Sequence, residues 1–322
     1  MSNTAQFIYS AALTDFAVRA GVGSFEASKS IAPLRKVPTI KGLYPKRDRA
    51  DSSNVDTSRA AGEEYKSKKP SKNAMVSFMC KDNGIKIPVP YEEVFGYGEM
   101  DLFSEKGNAG YEALAAVEMS HAKAVKSVVW AADQSGFNAI YGAANVNIPS
   151  VKWDVSGNNI EKDIINAKDR VYNNCGYKAN CVAMTSAVYN AITQDPDSSI
   201  YSKLKFTSGA SIKKEALAAV LEVDEVIVFD ELANSANAGQ TQSWDKLYTG
   251  NHVLVFRKDD GLGRSVMSLT STFFFELPAE PFMGVMERNN PNTKSFEFVG
   301  NGYFDVQLVA AEAGNVLFNV LT

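Results

Sequence analysis

From Arg35 to Met75 the only large apolar side chains are Val37, Ile40, Leu43, Tyr44, Val55, Tyr65 and Met75. Seven such side chains bury too little surface to offset the backbone entropy lost when so long a stretch is ordered. The segment is therefore expected to take its order from something outside itself, and another copy of the same protein is the simplest partner. The rest of the chain reads as a competent globular body. A chain that spends a third of its length on arms for its neighbours is a building block rather than an enzyme.

At 322 residues and 45% hydrophobic, the body can hold one large or two modest domains. A net charge of −4 argues against wholesale coating of nucleic acid. The charge is uneven, however. Arg35, Lys36, Lys41, Lys46, Arg47 and Arg49 stand against one acid, Asp48, and a second cluster holds Lys66, Lys68, Lys69 and Lys72. Each cluster could face DNA, the acidic surface of a neighbour, or solvent. Three cysteines, Cys80, Cys175 and Cys181, form no disulfide framework and suit a reducing compartment. The N-terminal residues carry no signal-peptide pattern and no stretch has the length of a membrane span, so a soluble protein made in the cytoplasm, with no membrane partner, is expected.

Hydrophobic periodicity divides the chain. A short amphipathic pattern covers Phe7–Val18, a proline-punctuated basic stretch follows to Arg49, and residues 50–74 read as a loop. Asn83-Gly84 is the favoured pair for a type I′ turn. A hairpin about it would pair Cys80 with Ile87, Phe78 with Val89 and Val76 with Tyr91, all on one face. Pro88 and Pro90 make it an edge or projecting ribbon, and so small a ribbon needs a partner surface. A long helix is expected over Gly110–Asp133, with Tyr111, Leu114, Val117, His121, Val125, Val128 and Ala132 as its apolar stripe. A second starts near Ile160, with Ser156 or Asn158 as its cap, Ile160, Ile164, Ala167 and Val171 as its stripe, and Gly176 just past its end. A strand (Asn180–Met184), a helix from Thr185, a helix over Ile212–Leu221 and a strand over Glu225–Asp230 give an α/β middle. Strands are expected at His252–Phe256, Ser268–Leu277, Ser295–Val299, Tyr303–Val309 and Asn315–Leu321.

Chemistry-bearing residues do not cluster. His121 and His252 are the only histidines, and neither belongs to a metal or catalytic motif. His121 falls in a helical apolar pattern, where packing is expected. Cys175 and Cys181 are six apart, the wrong spacing for a zinc knuckle. Gly21-Val-Gly23 and Gly261-Leu-Gly263 lack the third glycine of a dinucleotide loop. Asp195/Asp197 and Asp259/Asp260 sit in turns. No catalytic, cofactor-binding or metal-binding residue is assigned, and no cofactor is expected.

The order of parts (arm, projecting hairpin, long helix, α/β section, closing strands) resembles the Hong Kong 97-type major capsid proteins of tailed bacteriophages, a fold shared with encapsulins. Local text agrees. Met79-Cys-Lys-Asp-Asn-Gly-Ile-Lys-Ile-Pro-Val89 resembles the strand returning to the family's spine helix. Trp153-Asp154 with Asn159-Ile-Glu-Lys-Asp-Ile164 resembles the start of its axial domain, and Gly176-Tyr-Lys-Ala-Asn-Cys-Val-Ala-Met184 the strand that follows. Gly314-Asn-Val-Leu-Phe-Asn-Val320 is similar to its last strand. The resemblance covers about Met75 to Thr322. It implies an α+β protein with an N-terminal arm (1–49), an extended β-hairpin loop (50–95), a peripheral domain with a long spine helix (96–158), an α/β axial domain (159–267) and closing peripheral strands (268–322). Its function would be self-assembly through pentamers and hexamers into an icosahedral shell around double-stranded DNA, held non-specifically on the inner face. Val37, Ile40, Leu43, Tyr44, Phe78, Cys80, Ile87 and Val89 would make the inter-subunit contacts. No long helical scaffold segment precedes the body, which implies a separate scaffolding protein or none; portal and decoration proteins are further expected partners. Two alternatives stand beside this one: an encapsulin-like compartment enclosing cargo enzymes, and an α/β enzyme without local signatures.

Overall fold

The computed structural model describes residues 8–9, 25–46, 58–59, 64, 74–97, 105–195, 198–201, 214–234, 243–259, 267–277 and 282–322. The Phe7–Val18 pattern (apart from Ile8 and Tyr9), most of the 50–74 loop, both glycine pairs, Arg47, Arg49 and the Lys66–Lys72 cluster lie outside the described residues. The architecture is α+β, with two large sheets, a long helix packed between them and two two-stranded ribbons.

The long helix, here α3 (Glu105–Val129), starts earlier than its periodicity suggests and stops four residues sooner. Asp133 ends the pattern because its carboxylate accepts from the Gly136 N–H at 3.0 Å, which makes it the cap of a new helix, α4 (Gln134–Tyr141). Of the seven expected stripe residues, Leu114, Val117, His121 and Val125 are buried and Tyr111 and Val128 half-buried, while Ala132 lies past the helix end and is exposed.

The first sheet is six-stranded, in the order β1 (Ile8–Tyr9), β13 (Gly284–Asn290), β14 (Ser295–Leu308), β12 (Thr270–Phe275), β2 (Leu34–Lys36), with β5 (Lys81–Pro90) also on β14. Strand β13 was not anticipated. The two strands expected at 295–299 and 303–309 are one strand, β14, running through Gly300 and Gly302. These glycines serve close approach rather than a turn. A Cβ on Gly300 would lie 2.4 Å from the Ala113 carbonyl oxygen of α3.

Asn83-Gly84 does not turn the chain either. Strand β5 passes straight through it, with Gly84 opposite Asn301 and Ile87 opposite Phe298. Gly84 lacks the positive φ that a type I′ turn demands, and a Cβ there would lie 2.9 Å from the Gly300 carbonyl oxygen. The expected pairs Cys80–Ile87, Phe78–Val89 and Val76–Tyr91 are therefore absent. The two-stranded ribbon is instead β3 (Lys41–Lys46) on β4 (Ala74–Met79), with Gly42 opposite Phe78 and Tyr44 opposite Val76. Pro88 and Pro90 do sit in a strand paired on one side only, as their missing donors require.

The second sheet has the order β6 (Val146–Asn147), β15 (Gly314–Leu317), β11 (Val253–Phe256), β7 (Cys181–Thr185), β8 (Glu225–Phe229). Both of its faces are buried. Cys181, Ala183, Ile227, Phe229, Leu254 and Phe256 point into the core shared with α3. Val182, Met184, Val226, Val228, Val253 and Val255 point into a second core under three helices. These are α5 (Ile160–Cys175), α6 (Ser186–Gln194) and α7 (Lys214–Leu221). Asn159, rather than the expected Ser156 or Asn158, caps α5 by accepting from Lys162 N–H, and Gly176 closes it at φ 78°. The expected closing segment 268–322 divides: β12 to β14 belong to the first sheet and β15 to the second.

Candidate assembly surface

The ribbon β3–β4 lays one face on the first sheet and shows the other to solvent. Strand alternation sets this: Tyr44, Val76 and Phe78 point in, while Leu43, Met75 and Met79 point out. Inside, Tyr44 and Phe78 flank the Phe273 ring at centroid distances of 5.1 and 4.8 Å. Cys80 is buried beside them, its Sγ donating to the Phe273 carbonyl at 3.5 Å, and burial pushes its thiol up to about 11. Outside, Leu43 is 61% and Met75 58% exposed, and Ile40, Met79 and Ile85 are exposed too.

The eight expected contact residues therefore part company. Tyr44, Phe78 and Cys80 belong to the core beneath the ribbon, with Val37 packed against it. Val89 and half-buried Ile87 belong to a different cluster against Leu114 and Phe298. Ile40 and Leu43 alone among the eight are exposed. The expectation that Phe78, Cys80, Ile87 and Val89 form one free apolar face is overturned by the register, since it depended on a turn that is not made.

The hydrophobe-poor stretch also finds partners within its own chain. Strand β2 runs parallel to β12, and Val37 N–H donates to the Phe274 carbonyl at 2.9 Å. Backbone pairing to a sheet edge replaces the side-chain burial the stretch lacks. Its charges are partly used as well: Lys36 pairs with Glu276, and half-buried Arg35 faces Asp259, with burial holding its guanidinium below the usual range.

Sequence reasoning missed two further exposed patches. Strand β9 (Leu232–Asn234) pairs with β10 (Trp244–Lys246) in a second ribbon that shows Leu232 and Trp244, the latter 57% exposed. On α5, Ile165 and Tyr172 are exposed, and their seven-residue spacing beside the buried stripe was the available signal.

The histidines sit in packing roles. His121 Nε2 lies 3.0 Å from Thr272 Oγ1, edge-on to Phe304, and burial holds the ring near a pKa of about 4. His252 Nδ1 accepts from Asn319 N–H at 3.0 Å while its ring stacks on Phe318. Among the described residues no group of three or more His, Cys, Asp or Glu could hold a metal ion, and no helix is long and apolar enough to cross a membrane.

No family model and no curated protein matches this chain. Solved structures do. A phage-related protein from Bordetella bronchiseptica superposes with a TM-score of 0.68 at 17% identity, over 98% of both chains. The capsid structure of the cyanophage P-SCSP1u gives 0.55 at 10% identity, over 90% of this chain and 86% of that one. Microbacterium phage Oxtober96 gives 0.51 at 11% identity, over 91% and 90%.

Proposed function

We propose that this chain, which has the Hong Kong 97-type capsid fold, is the major capsid protein of a tailed bacteriophage. Likeness to phage structures over nearly its whole length is the observation that carries this reading, since it leaves no large part of the chain free for another function. The chain self-assembles into an icosahedral shell that encloses double-stranded DNA, without base-specific contacts. Its work is association: each copy adds modest contacts, and many copies close the shell. The outward face of the β3–β4 ribbon, with Leu43, Met75 and Met79, and the neighbouring Ile40, meets an adjacent subunit. A separate scaffolding protein or none, together with a portal and decoration proteins, completes the set of partners proposed for such a shell.

Negative-stain microscopy and sedimentation of the expressed chain test this. Closed particles of megadalton mass, or monomers that convert to them, are expected. A stable small oligomer under all assembly conditions would refute the proposal, as would particles that enclose a cargo enzyme in their native host and no DNA.

A further inference from the structure

Helix α5 carries a polar row beside its apolar stripe. Asn166, Arg170 and Asn174 recur every four residues, so they stack along one side of the helix, towards β6 and the segment that follows it. Asn174 closes one end of this seam, its Nδ2 donating to Asn145 Oδ1 at 2.7 Å. Trp153 closes the other, its Nε1 donating to Asp163 Oδ2 at 3.0 Å.

Between these two contacts the seam stays open as a cleft of about 230 Å³. One wall is α5 and the other is residues 147–150. Asn166 and Arg170 line it, both exposed, and neither has a hydrogen-bond or ion-pair partner among the described residues. The floor is β15, where strand alternation aims each side chain. Val316 enters the core shared with α3, while Asn315 and Leu317 point towards α5. Asn315 has no exposed surface. Its Oδ1 accepts from Asn147 Nδ2 at 3.2 Å, and its own Nδ2 has no partner. A buried donor left unpaired is costly, and no other residue of β15 has a polar side chain.

These donors define what the cleft can hold. An oxygen acceptor that enters it meets the Asn315 amide at the floor and the Arg170 guanidinium at the mouth, whose planar fork fits a carboxylate with two parallel hydrogen bonds. Asp163 lies seven residues before Arg170, about 10 Å along the helix, and is held by Trp153. One negative charge can therefore sit at Arg170, whereas Asp163 opposes the larger charge of a phosphate more strongly. We propose that the cleft between α5 and β6 is a carboxylate-binding site, with Arg170 as the charge partner and Asn315 as the buried donor. The carboxylate belongs either to an Asp or Glu side chain of a second copy or to a small free acid.

Titration of the full-length unassembled chain with propionate, followed on the side-chain amide signals of isotope-labelled asparagine, tests the site independently of shell formation. A saturable shift of the Asn315 amide is expected. Arg170→Gln, a change at an exposed position, should weaken binding roughly tenfold or more, and the neutral analogue propionamide should bind the wild-type chain equally poorly. Asn315→Asp keeps the acceptor for Asn147 and removes the donor, so propionate binding, read at the Asn147 amide, should be lost. Assembly followed by light scattering, with sodium chloride of equal ionic strength as the reference, assigns the source. Propionate and Arg170→Gln each slow assembly if the carboxylate is a neighbour's side chain, and neither does if it is a free acid. No saturable shift at Asn315, an undiminished response in Arg170→Gln or in Asn315→Asp, or equal binding of propionamide and propionate would overturn the proposal.

Discussion

His121 illustrates how a buried side chain is spent on packing rather than chemistry. Its ring is buried on α3, within hydrogen-bond reach of Thr272 and edge-on to Phe282 and Phe304, and burial followed by the Lys29 charge disfavours its protonated form. The folded ring therefore titrates at about 4 against 6.5 for a free histidine. Between those values the unfolded chain binds the extra proton, so stability should fall as the pH drops from about 6.5 towards about 4. Glu118 and Glu231 act the other way. Burial raises both, so in the interval above the ordinary carboxylate value the folded state holds more protons, and stability falls as pH rises through it. Urea midpoints of the wild-type chain and of His121→Gln across this range separate the effects. The substitution should flatten the acid-side loss, and an unchanged slope would remove His121 from the account.

The ribbon β3–β4 carries two kinds of apolar residue on opposite faces, and they should respond oppositely to charge. Leu43→Asp alters only an exposed position, so folding stability should move by no more than about 0.5 kcal/mol while assembly fails. Phe78→Asp places a carboxylate beneath the ribbon, against Phe273, and should detach the ribbon or destabilise the fold. Thermal melts with sedimentation velocity distinguish the two. If Leu43→Asp assembled normally, the outward face would not be a contact. Strand β5 gives the complementary lesson. Ile87 packs on the cluster around Leu114 and Phe298, so Ile87→Glu is expected to damage the fold itself rather than assembly alone.

Across the described residues, four basic side chains are used within the chain. Lys36 pairs with Glu276, Arg35 faces Asp259, and Lys29 and Lys258 are held by Glu118 and Glu225. The outward face of the ribbon is led by apolar Leu43, Met75 and Met79, with Lys41 and Ser77 beside them. Shells, once closed, should therefore survive about 1 M salt, where charges more than about 3 Å apart are screened. Light scattering across a salt series checks this, and dissociation at high salt would assign the contacts to ion pairs instead.

Much of the local structure was legible in the residues alone. The α5 stripe of Ile160, Ile164, Ala167 and Val171, closed by Gly176, needs only periodicity and a glycine able to take positive φ. The unbroken runs at Cys181–Thr185, Glu225–Phe229 and Val253–Phe256 announce strands buried on both faces. The order of these parts was enough to indicate the fold. Partner choice was not legible. Asn83-Gly84 reads as a turn from its own chemistry, and only the tertiary structure places Gly84 against the Gly300 backbone and Gly300 against Ala113, where glycine is needed for contact. The stretch from Arg35 to Met75 looked unable to fold because its few large apolar side chains bury little. Its described part is ordered by the pairing of β2 with β12, by Tyr44 and Phe78 packing on Phe273 and by the Met79 N–H donated to Asp305, and no local pattern records which strand edge, ring or carboxylate will lie within reach.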